Sequence, residues 1–137
     1  MVAIGPAGIF GVAVGIDLTR RDLQLAARNS GRPWEAGKAF DRSAPLGAIR
    51  PWAGEPPKRG RIRLSVNGAI RQDSDLSEMI WNVEEIVSHA SRSFSLAPGD
   101  LIFTGTPSGV GTIVPGDVIE GAIEGVGELA ISIARSS

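Results

Sequence analysis

The apolar positions of this chain fall into three patterns. Ile9–Ile16 is a continuous run of β-branched and small residues, the signature of a buried strand, and Asp17 ends it. Arg61–Gln72 alternates instead: Ile62, Leu64 and Val66 lead into Asn67-Gly68, and Ala69–Gln72 leads out. Asn-Gly tolerates the positive φ angles of a type I′ turn, so this stretch predicts a two-residue hairpin. Leu76, Met79, Ile80, Val83, Ile86 and Val87 recur at helical spacing. They predict one amphipathic helix over Asp75–Phe94, capped by Asp75 or Ser77.

Shorter signals fill the remainder. Thr19 is the predicted N-cap of a helix over Arg20–Arg28, which Asn29-Ser30-Gly31 closes and Pro33-Trp34 breaks. Ala44–Ile49 reads as a weak strand, and Pro51–Gly60 as a polar surface loop. Ala97-Pro98-Gly99-Asp100 is a turn before a strand over Leu101–Phe103, and that strand enters a Gly/Thr-rich loop. Asp117–Glu120 and Gly127–Ala134 read as two last strands around Glu124-Gly125. No repeat, low-complexity tract or long linker parts the chain, so one domain over 1–137 is expected.

Composition narrows the function. The 137 residues suffice for one hydrophobic core. With 14 basic and 15 acidic residues the net charge is −1, which argues against a nucleic-acid partner. Cysteine is absent, which removes disulfides, thiolate ligands and thiol nucleophiles together, and fits a reducing cytoplasm. No apolar run reaches the ~20 residues of a membrane span. The opening MVAIGPAGIFGVAVGI lacks a basic leader and reads as a buried strand with a Gly-Pro break, not as a targeting peptide. Eighteen glycines and nine prolines imply many tight turns, hence a strand-rich fold.

A few residues are equipped for chemistry. Asp17, at a strand end, suits a hard metal ion such as Mg²⁺ or Mn²⁺, although its spacing alone favours the N-terminus of the helix that follows. Arg21 and Gln24 share one helical face. The arginine can fork onto a substrate carboxylate and the glutamine can orient a carbonyl or water, or both can belong to a solvated basic face. Lys38, among small residues, can donate to a developing oxyanion or sit as an ordinary surface lysine. The loop Thr104–Gly111 offers backbone N–H groups and hydroxyls to an anion, but it lacks the Lys-Ser/Thr ending of a phosphate loop. His89 reads as a helix-end residue, and Trp34, Trp52 and Trp81 read as packing residues.

Taken in order, GIDLTRRDLQ, GRPWEAGKAFDRSAP, VNGAIRQ, SEMIWNVEEIVSHAS, LAPGDLIFTGTPSGVG and PGDVIEGAIEGVG resemble the fumarylacetoacetate hydrolase superfamily over Ile9–Ala134. RRDLQ, RPWEAGKAF and SAP resemble its acylpyruvase and fumarylpyruvate hydrolase branch. The resemblance implies an α+β, strand-rich fold: a mixed β-roll with a few short helices, usually dimeric. It implies a Mg²⁺ or Mn²⁺ ion and a small anionic 2-oxo or β-diketo acid, cleaved at a C–C bond, decarboxylated or isomerised. By matching position, Asp17 is then a metal ligand and Lys38 the residue that steadies developing negative charge. Arg21 and Gln24 lie beside the pocket, and Gly105 and Thr106 bind a substrate oxygen.

One departure sets a further expectation. Members of the superfamily place a Glu-x-Glu pair upstream of Asp17 to complete the metal site, and hydrolytic members add a His-Glu pair. MVAIGPAGIFGVAVGI contains no acidic residue and no histidine. The resemblance therefore implies a chain short of its N-terminal third, with little hydrolase activity alone. The alternative is an inactive remnant that keeps the fold and binds acids weakly. Ile9–Ile16 is then expected to lack neighbours and to cause either self-association or poor solubility.

Overall fold

The computed structural model describes residues 1–134; the last three positions of the domain expected over 1–137 lie outside the described residues. Two four-stranded sheets form the body. The first has the order β3-β2-β1-β6, from β1 (Val2–Gly5), β2 (Gly8–Val12), β3 (Arg50–Pro51) and β6 (Leu101–Ile102). The second has the order β5-β4-β7-β8, from β4 (Arg61–Val66), β5 (Ala69–Asp75), β7 (Val118–Ile123) and β8 (Gly127–Ser132). Every neighbouring pair is antiparallel. Helices α1 (Arg21–Asn29), α2 (Glu35–Lys38) and α3 (Val83–Ala90) are short, and a 3₁₀ turn covers Leu76–Glu78. The strand-rich α+β class expected from the sequence is what the chain adopts.

The predicted hairpin forms as written. Val66 pairs with Ala69 across Asn67 (φ 52°) and Gly68 (φ 78°), the two left-handed residues of a type I′ turn. Asn67 also ties the turn to β7: its Oδ1 accepts from the Val118 N–H at 2.9 Å, and its Nδ2 donates to Asp117 at 2.8 Å.

The apolar start divides in two. β1 and β2 pair across the Gly5–Gly8 turn, and Ala13–Leu18 continues beyond β2 as an extended segment. Gly15 bridges Leu46, and the Ile16 and Leu18 N–H groups donate to the Pro45 and Ser43 carbonyls. The weak strand expected at Ala44–Ile49 is thus reduced to a single bridge, because Pro45 has no N–H to extend the ladder. Val12, Val14 and Ile16 are buried. The expectation that Ile9–Ile16 would lie uncovered is therefore wrong for its second half: β1, β3 and residues 43–47 flank it, and β7 lies beneath. Val14 and Ile16 seat on the bare backbone of Gly121, where a Cβ would stand 3.3 Å from Val14.

The core has two parts. Val2, Val12, Val14, Val83 and Val126 form one, and Ile16, Val66 and Ile119 the other. Leu129 touches both and joins them.

The single helix expected over Asp75–Phe94 is broken. Asp75 still caps, but it caps the 3₁₀ turn, accepting from the Ser77 N–H at 2.9 Å. Met79 then turns extended, and Asn82 opens α3 with a capping box. The Glu85 N–H donates to Asn82 Oδ1 at 2.9 Å, and Glu85 accepts from the Asn82 N–H at 2.8 Å. Helical spacing persisted across the break because Met79, Val83 and Val87 pack on the core, while Ile80 is 97% exposed. The Asn82→Ala variant should lose about 1 kcal/mol of stability, read from the denaturant midpoint.

Two carboxylates carry a pH signature. Hydrogen bonds from the Ser77 hydroxyl and N–H, and from Gly60 N–H, hold Asp75 below the usual carboxylate range. The Val114 N–H and then the Asn67 amide do the same for Asp117. Each is more acidic folded than unfolded, so each stabilises the fold above the ordinary range and loses that effect as pH falls through it. The unfolding midpoint should therefore drop as pH falls below about 5, and D75N/D117N should flatten that acid limb. An unchanged limb in the double variant would contradict the assignment.

Candidate active site

Asp17 stands where the extended segment leaves the second sheet, and Lys38 comes to it from α2. What brings them together is glycine. Arg20 N–H donates to the Gly37 carbonyl at 2.9 Å, and a Cβ on Gly37 would lie 3.0 Å from the Gln24 nitrogen. Only a bare α-carbon lets α2 settle this closely on the start of α1. Lys38 Nζ then donates to Asp17 Oδ2 at 2.7 Å and to Thr19 Oγ1 at 3.1 Å. An ammonium has three N–H donors, so one remains for a ligand. Both partners stay partly exposed, which keeps the pair weak as a stabiliser and open to solvent.

Thr19 is not the helix cap expected of it. Arg20 occupies the N-cap position with no side-chain bond, and the Thr19 hydroxyl serves Lys38 instead. Gln24 Oε1 accepts from Arg21 Nη1 at 2.8 Å. It therefore acts through Arg21 and does not line the cleft, whereas Arg21 does. Four donors of the guanidinium remain after that bond.

The Gly/Thr loop arrives from the other side. β6, anchored on β1, delivers Phe103, whose ring packs so closely on Gly15 that a Cβ there would meet it at 2.7 Å. Gly105 follows with φ 113°, a left-handed value that favours glycine. The result is a cleft of about 480 Å³ lined by Asp17, Thr19, Arg21, Lys38, Gly105 and Thr106, floored by Ile62, Leu64 and Ile119. Five of the six residues singled out in the sequence thus meet at one place.

The hairpin adds what the sequence did not disclose. Arg63 and Arg71 also line the cleft, so four basic residues face one acidic residue there. Gln72, 8% exposed, donates from Nε2 to Thr106 Oγ1 at 2.8 Å and to the Pro107 carbonyl at 2.7 Å. A register shift between Leu64 and Ser65 moves it there. Strict counting from the Asn-Gly turn sets Arg71 opposite Leu64, but the shift sets Gln72 opposite Leu64. No sequence signal marks that bulge.

His89 lies in the last turn of α3 with its ring 4.8 Å from that of Trp81 and is not part of the cleft, as its helix-end reading required.

The electrostatics suit an anion. Lys38, with one N–H free, the Arg21 guanidinium and the Gly105–Thr106 loop all line the cleft as groups able to donate to an anion. The same cleft does not by itself suit a divalent cation. Among the described residues no three His, Cys, Asp or Glu side chains cluster to hold one, and Asp17 is already engaged by an ammonium. Mg²⁺ and Mn²⁺ need several fixed oxygens. No helix among the described residues is long and apolar enough to cross a membrane.

Known proteins share this chain's sequence pattern and fold. The fumarylacetoacetate (FAA) hydrolase C-terminal family matches residues 5–134. A fumarylpyruvate hydrolase from a Ralstonia species is 47% identical over 125 residues, covering 91% of this chain and 65% of that protein. A mitochondrial oxaloacetate tautomerase from Mus musculus is 40% identical over 129 residues, covering 93% of this chain and 58% of that one. The crystal structure of fumarylpyruvate hydrolase from Pseudomonas aeruginosa, in complex with Mn²⁺ and pyruvate, superposes with a TM-score of 0.93 at 48% identity. That match covers 98% of this chain and 63% of the other. The chain thus spans a little over half to two thirds of the length of these relatives. With the family's sequence and its fold both present across nearly its whole described length, the chain belongs to the fumarylacetoacetate hydrolase family.

Proposed function

We propose that this chain provides the acid-binding wall of an enzyme that hydrolyses a C–C bond in a small 2-oxo or β-diketo acid of the acylpyruvate type. The observation that carries the reading is the convergence of Lys38, Arg21, Gly105 and Thr106 on one cleft with an excess of positive charge. In such a cleavage water adds to the acyl carbonyl, and the electron pair of the broken bond leaves on the pyruvate fragment as an enolate. Lys38, with one N–H free, steadies that charge. Arg21, held by Gln24, receives the carboxylate in a fork, and the Thr106 hydroxyl takes a substrate oxygen. Decarboxylation and tautomerisation pass through the same enolate and use the same grip.

A divalent ion, Mg²⁺ or Mn²⁺, belongs to this reading at the level of the family, and Asp17 is the ligand this chain offers. Such an ion polarises the oxo acid when bound. The described residues do not complete its cage, so no step is assigned to it here. A single domain that assembles as a homodimer in the cytoplasm remains part of the proposal. The inactive-remnant reading has no observation of its own in its favour.

Pyruvate is the simplest probe. In titrations followed by NMR chemical shifts, the 137-residue chain should bind it, and Lys38→Met should weaken binding by about tenfold, the loss of one charged hydrogen bond. Equal affinity in the two proteins would remove Lys38 from the site. Calorimetric titration with Mn²⁺ should show only weak association, on the order of millimolar, for want of further oxygens. A stoichiometric micromolar site would overturn the account of Asp17.

A further inference from the structure

Gln72 is a buried amide in the floor of a charged cleft, and the reaction outlined above gives it no task. Its two contacts fix its orientation. The Pro107 carbonyl can only accept, so the Gln72 atom 2.7 Å away must be the nitrogen. That nitrogen carries two hydrogens. One goes to Pro107, and the other points to Thr106 Oγ1 at 2.8 Å. A hydroxyl has a single hydrogen and two lone pairs. With a lone pair of Thr106 occupied by Gln72, the hydroxyl hydrogen is directed elsewhere, and Thr106 lines the cleft.

The anchorage is reinforced beside it. Arg71 is the extra residue at the register shift of the hairpin, and its carbonyl faces Gly109 of the loop. A Cβ on Gly109, which has φ 100°, would overlap that carbonyl. The loop can therefore lie flat on the bulge only because residue 109 is glycine, and lying there brings Thr106 and Pro107 to Gln72.

We infer that Gln72 is a positioning residue: by donating to one lone pair of the Thr106 hydroxyl it leaves that group's hydrogen for the cleft, so that this position favours an acceptor, the oxygen of a carboxylate or enolate. The inference rests on the proposed acid-binding function. It needs the bulge as well as the glutamine, since only the shifted register turns Gln72 inward.

The test is a double-mutant cycle on pyruvate affinity using the whole chain, with NMR chemical shifts as readout. Gln72→Glu keeps the shape but reverses the polarity: the carboxylate accepts the Thr106 hydrogen and turns it away from the cleft. Gln72→Met only frees the hydroxyl to rotate. Gln72→Glu should weaken pyruvate about tenfold, and Gln72→Met about threefold, the scale of one misdirected hydrogen bond to a charged group. In a Thr106→Val background Gln72→Met should not weaken binding further, because the hydroxyl it acts on is gone, and Gln72→Glu should cost less than in the unaltered chain, its remaining effect being its charge. Lowering the pH should restore part of the Gln72→Glu loss, since a protonated carboxyl can donate again.

A purely structural role for Gln72 predicts equal losses for Gln72→Met with and without the Thr106 hydroxyl. That result overturns the inference. Should Gln72→Glu fail to fold, the Gln72→Met arm of the cycle decides alone: coupling to Thr106 supports the inference and additivity ends it. Absence of pyruvate binding by the unaltered chain would instead overturn the acid-binding reading, and this inference would fall with it.

Discussion

Everything in this fold passes through one extended segment, Ala13–Leu18. It leaves β2 in the first sheet and crosses the inner face of the second, where Val14 and Ile16 press onto Gly121. A Cβ on β7 at that point would stand 3.3 Å from Val14 and push it back. Val14 belongs to one half of the core and Ile16 to the other, so the segment is the seam along which both halves are buried. Buried apolar area of this kind is the main favourable term in folding. Because the segment is pinned at Ile16 and Leu18, the residue between them, Asp17, has a fixed place.

The cleft inherits this rigidity. Its ion pair is weak in energetic terms, half in water and worth little to stability. It matters as geometry. Gly37 lets α2 approach α1, Lys38 reaches Asp17 and Thr19, and one ammonium N–H is left over. Across the cleft the Gly105–Pro107 loop is held by β6 at its root and by Gln72 beneath it. A short helix and a glycine-rich loop are thereby fixed on either side of a floor made by two strands. Preorganised donors of this type bind an anion without rearranging at the moment of binding.

The cleft also has a directional charge: Arg21, Lys38, Arg63 and Arg71 stand against Asp17 alone. In a chain of net charge −1 this is a local concentration, not a property of the whole. It explains why a carboxylic acid suits the site as it stands, and why a divalent cation requires oxygens beyond those the described residues bring together. The family relationship and the electrostatics point to the same ligand class by separate routes.

By itself the sequence determined whatever is local. Asn67-Gly68 dictated its turn because only left-handed φ angles close a two-residue hairpin. The six motifs in register identified the family, and with it the class of fold and the residues worth watching. The break in the helix expected over Asp75–Phe94 was itself local, a capping box between Asn82 and Glu85 that the apolar spacing had masked. Tertiary structure decided whatever depended on long-range pairing. It covered the second half of the apolar run Ile9–Ile16 with β1, β3 and β7, neighbours that spacing along the chain cannot reveal. It took Thr19 from the helix and gave it to Lys38. It placed Gln72 under Thr106 through one shifted residue pair. A shift of one residue exchanges the two faces of a strand, and its location is set by how sheets and loops pack, not by the order of amino acids within the strand.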